Sequence, residues 1–192
     1  MTKKHRKTET ENGMNLRMME EGIALLLEGM RIPRSDPNFS ETPERVARMF
    51  KEMLTPERSN WATFPSASSD LVLLRGHRVF ALCPHHLQVV EMKCYIAYIP
   101  NKKTLGLSKL ARAVEEHLTH PILQEDLANA VADTIEAKLE PKGTGVVLTG
   151  RHGCMAFRGV ESDGDVVTSV MRGVFLLNPT ARQELLTLIG RP

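Results

Sequence analysis

The chain has 192 residues, of which 42% are hydrophobic and 25% charged. That length supports a domain with a substantial core, and the balance is ordinary for a globular protein. A formal charge of +2 is close to neutral, so nothing in the overall composition points to nucleic acid or an anionic membrane as partner.

In chain order, residues 1–12 read as a disordered, charged tail. Seven of the first eleven are Lys, Arg, Glu or His, with no apolar periodicity. No apolar stretch behind these lysines is long enough for a signal peptide. No run anywhere approaches the roughly 18–20 apolar residues that span a bilayer, so the expectation is a soluble, cytoplasmic protein. From Leu16 to Met30, the residues Met19, Ile23, Leu26, Leu27 and Met30 recur at helical spacing. Pro33 and Pro37 end that helix. A second begins in "FSETPERVARMFKEML", with Thr42 as N-cap and Pro43 at the first helical position. Residues 55–69, rich in Pro, Ser and Asn, read as a loop.

The pattern then changes. "LVLLRGHRVFAL" and "QVVEMKCYIAYIP" read as strands, the second with Val90, Met92, Cys94, Ile96 and Tyr98 on one face. "GLSKLARAVEEHL" returns to helical period, and after Pro121 "ILQEDLANAVADTIEAKL" makes another helix. Three strand-like runs follow, "TGVVLTG", "CMAFRGV" and "DVVTSVMRGVFLL", and then a short helix after Pro179. This order predicts an α+β domain, with an antiparallel sheet and helices on one face. The expected division is a tail (1–12), an N-terminal helical region and loop (13–69), and a catalytic domain (70–192).

The chain has three cysteines, too few and too odd a number for a disulfide framework. Cys94 lies in an alternating apolar run and reads as a small buried hydrophobe. The other two sit beside histidines, in "CPHH" and "RHGC". Cys83 and His86 are three apart, a spacing at which a turn can aim both at one metal. His152 and Cys154 are two apart and share a face if the strand is extended. With His85 this makes five candidate ligands. A catalytic zinc takes three protein ligands, and Cys₂His is a known set. Adjacent histidines rarely aim at one point, so one of His85 and His86 is left free for proton transfer. The bland alternative is two unrelated groups of buried thiols and surface imidazoles.

Cations gather near helix starts. "GLSKLAR" places Ser108, Lys109 and Arg112 at a helix N-terminus, where backbone N–H groups favour anions. Arg45 and Arg48 repeat the three-residue spacing, and Arg158 follows the second Cys/His pair. Each alone is more often a solvated surface charge, and a polyanion such as a triphosphate needs several at once. Gln124 and Glu125 open the second long helix. A carboxylate beside an amide suits the donor edge of guanine, although an acidic residue complementing the helix dipole explains Glu125 equally well.

Together, "CPHHL", "YIPNKKTLGLSKLARAVE", "LQEDL", "RHGCMAFRGV" and "TSVMRGVF" resemble GTP cyclohydrolase I from about residue 20 to the C-terminus. The resemblance implies the tunnelling fold, an antiparallel sheet with two long helices on one face, preceded here by an N-terminal helical region. It implies zinc (Zn2+) held by Cys83, His86 and Cys154, with a water as fourth ligand that attacks C8 of the guanine ring of GTP. His85 and His152 match the proton-transfer histidines, and Ser108 and Gln124 the residues assisting rearrangement of the ribose. Glu125 matches the guanine anchor, and Lys109, Arg112, Arg158, Arg45 and Arg48 the triphosphate cradle. The implied products are formate and 7,8-dihydroneopterin triphosphate, the first step of pterin, folate or deazaguanine synthesis. The implied assembly is a homodecamer of two pentamers with active sites between subunits.

Four features depart from the family pattern. Pro84 stands where Glu is usual, Met92 where Gly is usual, and Asp126 where Arg is common. The loop at 161–168 is about one residue short. A divergent or non-catalytic relative binding a purine or pterin nucleotide is the alternative these departures leave. The nitrile reductase of deazaguanine metabolism, of related fold, works through a cysteine nucleophile and NADPH and has no use for three zinc ligands and a spare histidine.

Overall fold

The computed structural model describes residues 13–33, 35–57 and 60–190. The expected tail, residues 1–12, lies outside them. The chain divides into two compact units that meet between Thr55 and Pro56.

The first unit contains α1 (Leu16–Gly29) and α2 (Thr42–Met53). Asn15 caps α1, its side chain accepting from the Met18 N–H at 3.1 Å. In α2 the cap is Glu41, one residue before the expected Thr42, and it makes no side-chain cap bond. Arg45 and Arg48 form ion pairs one turn back with Glu41 and Glu44. Both arginines are more than half exposed.

The second unit is built on a four-stranded antiparallel sheet of order β2-β3-β5-β6. Its strands are β2 (Val72–Leu82), β3 (Val89–Ile99), β5 (Gly143–His152) and β6 (Val166–Gly173). A small antiparallel pair, β1 (Thr63–Pro65) with β4 (Lys103–Leu105), lies beside it, so part of the expected 55–69 loop is a strand. Helices α3 (Ser108–Glu115) and α4 (Gln124–Leu139) bury Leu110, Val114, Leu127, Val131 and Ile135 in one core with Val90, Met92, Cys94, Ile96 and Tyr98. The predicted β3 face is therefore the helix face. The opposite face carries a smaller core of Ala97, Val147 and Met171 with Phe175 of α6 (Val174–Leu177) and Leu185 of α7 (Pro179–Gly190). The α+β architecture read from the element order, an antiparallel sheet with two helices on one face, is the one observed.

One local device sets the parity of β2. Val72 and Leu74 pair with Tyr98 and Ile96, but a bulge follows, and His77 pairs with Cys94. Gly76, at φ 73°, supplies the left-handed residue such a bulge needs. Beyond it the odd-numbered residues Val79, Ala81 and Cys83 face the helix-side core. Without the inserted residue, period-two alternation would send Cys83 to the other face.

The run "CMAFRGV" is not a strand. Residues Gly153–Ala156 form a helical turn, α5, and the chain continues as loop to Val166.

Candidate metal and proton-transfer site

Four chain segments end or begin at one end of the sheet. Leu82 closes β2 opposite Val89, and His152 closes β5 opposite Val90. Val166 opens β6 opposite Gly150. The approach to α4 is tied in by the Ile122 N–H, which donates to the Leu82 carbonyl at 3.0 Å.

Between β2 and β3 the chain reverses through residues 83–88. The Leu87 N–H donates to the Cys83 carbonyl at 2.9 Å, and the Cys83 N–H to the Gln88 carbonyl at 2.9 Å. Pro84 opens this turn, where its fixed φ is favourable and its missing N–H costs nothing. Leu87 closes it at φ 52°, a left-handed conformation costly for a non-glycine residue. The turn brings together Cys83, which is buried, and His86, which is exposed. Cys154, on α5, completes the group, and the three ligand atoms lie within 4.8 Å of one another. That spacing and the Cys₂His donor set fit a zinc ion left open to a further ligand. Burial pushes the Cys154 thiol up from its ordinary range, and the Cys83 thiol raises it further by charge and as a hydrogen-bond partner. A cation relieves both effects.

The helical turn changes one expectation. His152 and Cys154 do not share a strand face, because the strand stops between them. Cys154 goes to the metal group and His152 turns to α4, where its Nε2 meets Gln124 Oε1 at 2.9 Å. Burial lowers the pKa of His152, and the Glu125 carboxylate opposes this. Gln124 is 4% exposed, while its neighbour Glu125 is exposed.

His85 is exposed, with Nδ1 3.8 Å from Cys83 Sγ. Its ring stands at 67° to that of His86, with centroids 6.4 Å apart, so the adjacent imidazoles diverge. Arg158 reaches back from the loop after α5 and puts a guanidinium N–H 3.2 Å from His86 Nε2.

The family GTP cyclohydrolase I matches residues 19–190 of this chain. The GTP cyclohydrolase 1 of Aquifex aeolicus (strain VF5) is 41% identical over 174 residues, 89% of this chain and 95% of the relative. That of Rhodopirellula baltica is 38% identical over 191 residues, 96% of this chain and 83% of the relative. The chain belongs to the GTP cyclohydrolase I family.

Of the other expected site residues, three stand on α3. Ser108 and Lys109 form the first turn of α3, directly after β4. β4 is held by Tyr98, whose hydroxyl lies 2.6 Å from Thr104 Oγ1 and accepts from the Leu105 N–H at 3.1 Å. Tyr98 lies toward the far end of β3 from Val90, which pairs with His152. The intervening stretch of strand spans roughly 26 Å. Arg112, further along α3, donates to Glu57 at 3.1 Å. Among the described residues no hydrogen bond or ion pair joins Ser108, Lys109 or Arg112 to the Cys/His group.

The departures from the family pattern also find their places. Met92 is 1% exposed in the helix-side core and is paired with Gly150. Asp126 is exposed on α4. Within the 161–168 stretch, Asp163 accepts from Arg151 of β5 at 2.6 Å. Two participants escaped the sequence reading. Thr168 accepts from the Gln124 side chain at 3.1 Å, and Gly150 adjoins the same amide. An isolated glycine inside the β5 pattern is the signal that marks a close approach.

Proposed function

We propose that this protein hydrolyses GTP at C8 of the guanine ring, releases that carbon as formate, and rearranges the remainder to 7,8-dihydroneopterin triphosphate. The observation that carries the reading is the convergence of Cys83, His86 and Cys154 in a member of the GTP cyclohydrolase I family. Zinc held there supplies Lewis-acid activation of a water near neutral pH.

The chain's own residues do the rest. Glu125, at the start of α4, accepts from the N1–H and N2–H₂ edge of guanine and sets the ring against the metal group. His85, off the metal and exposed, exchanges protons at the opening ring. His152, held by Gln124, does so at the ribose side, and Ser108 assists the sugar rearrangement. Lys109, Arg112 and Arg158 neutralise the triphosphate.

The start of α3 and the Cys/His group stand toward opposite ends of β3, and in this reading they meet one substrate across two copies, with active sites between subunits. The edges of the four-stranded sheet are β2 and β6. Edge strands of this kind pair readily with another chain, which supports an assembly closed through these edges; the family resemblance alone supplies the number, two rings of five.

Incubation with GTP, with and without added zinc, tests the reading. Formate and an oxidisable, fluorescent neopterin product are expected. Bound GTP with neither product overturns it.

A further inference from the structure

Gln124 makes more hydrogen bonds than a substrate-facing amide needs. Its Nε2 lies 3.1 Å from the Leu148 carbonyl, 2.9 Å from the Val166 carbonyl and 3.1 Å from Thr168 Oγ1. Carbonyl oxygens only accept, so this side of the amide must be the NH₂ group. Turning the amide over would press Oε1 against two carbonyl lone pairs in a buried site. The orientation is thus fixed by chemistry, and Oε1 must face His152 Nε2, 2.9 Å away. An oxygen that only accepts requires Nε2 to carry hydrogen, which leaves the lone pair of the neutral ring on Nδ1.

The space for this amide is made by one residue. A Cβ at Gly150 would lie 2.3 Å from Gln124 Oε1, 3.2 Å from its Cδ and 3.1 Å from Met92 Cγ. Carbon cannot approach an oxygen that closely, and Met92 is itself buried. The requirement at 150 is steric, because a side chain there would take the place of the oxygen that meets His152.

We infer that Gly150 is a positioning residue for His152, acting through Gln124, and that the pair fixes the neutral imidazole as its Nε2–H tautomer. On this chain Gln124 is then a positioning residue as well. The consequence for turnover rests on the cyclohydrolase reading, whereas the tautomer is measurable without GTP.

The test is ¹⁵N NMR of the zinc-loaded protein labelled at histidine, at mildly alkaline pH, with His152 assigned by the signal lost in His152→Gln. The wild type is expected to show a protonated Nε2 and an unprotonated Nδ1. Gly150→Ala is expected to let the Nδ1–H form appear while zinc content is unchanged. It should also lower kcat by up to roughly 100-fold with KM for GTP held, the low end of the roughly 100- to 10,000-fold a positioned proton carrier contributes, because the imidazole is redirected and not removed. Should Gly150→Ala not fold, Gln124→Met removes the oxygen at similar length and must give the same redistribution. A wild-type proton on Nδ1, or a variant spectrum identical to wild type, overturns the inference. The Nε2–H pattern in a protein that does not turn over GTP sustains it and sinks the functional reading instead.

Discussion

At one end of the four-stranded sheet, where β2 and β5 stop, two thiols and an imidazole converge within 4.8 Å. At the other end, α3 presents Ser108 and Lys109 in its first turn and Arg112 in its last, following a β4 held by Tyr98. The first end is assembled from residues far apart in sequence and depends on a bulge, a turn and a strand stop to be formed at all. The second is a short continuous segment whose chemistry is local. The contrast teaches that one fold can hold two chemically distinct groups by different means, which the proposed function reads as two half-sites.

The largest effect falls on the metal end. Cys154→Ser is expected to abolish zinc retention and take formate release to background while the far end stays folded, checked by metal analysis beside circular dichroism. Retained zinc would show that the three-ligand group is not the holding site. The division into half-sites is tested by co-assembly. Cys154→Ser and a Lys109→Ala/Arg112→Ala variant, each inactive alone, are expected to recover part of the activity when assembled together. Recovery is impossible if each chain completes its own site.

A smaller effect distinguishes the two ends by pH. The Cys154 thiol is raised by burial and by Cys83, so it holds its proton at neutral pH and zinc must displace it. Zinc affinity should therefore fall as pH falls, by about tenfold per unit for each proton displaced. Competition with a chelator across a pH series measures it, and a flat profile breaks the expectation. The smallest effect is at the far end. Tyr98→Phe removes the partner of Thr104 and of the Leu105 N–H and should cost about 1–2 kcal/mol. Thermal unfolding of the zinc-loaded protein reads it, with zinc content unchanged.

Much of this was legible in the sequence. The β3 face from Val90 to Tyr98 and the two helices follow from periodicity, whereas spacing left five candidate ligands and only the resemblance to the family implied the set 83, 86 and 154. What escaped was geometry created by breaks in period. The bulge at Gly76 shifts parity by one, and no alternation count across "LVLLRGHRVFAL" shows on which side Cys83 emerges. The helical turn at Gly153–Ala156 separates His152 from Cys154, because a short apolar run with β-type residues reads as strand until its contacts are known. The protein partners of Gln124 were not legible because they come from β5 and β6, 24 to 44 residues downstream.

The bond from the Ile122 N–H to the Leu82 carbonyl gives the metal end its own gauge. It fastens the start of α4, with Gln124 and Glu125, to the last residue of β2 before Cys83. It joins the segment before the ligand turn to the segment before the Gln124–His152 contact. The Ile122 amide should therefore exchange with deuterium at the rate of the opening that disassembles the site, not at the slower rate of global unfolding. Zinc, by binding only the closed arrangement, should slow that one amide more than those at the far end of β3.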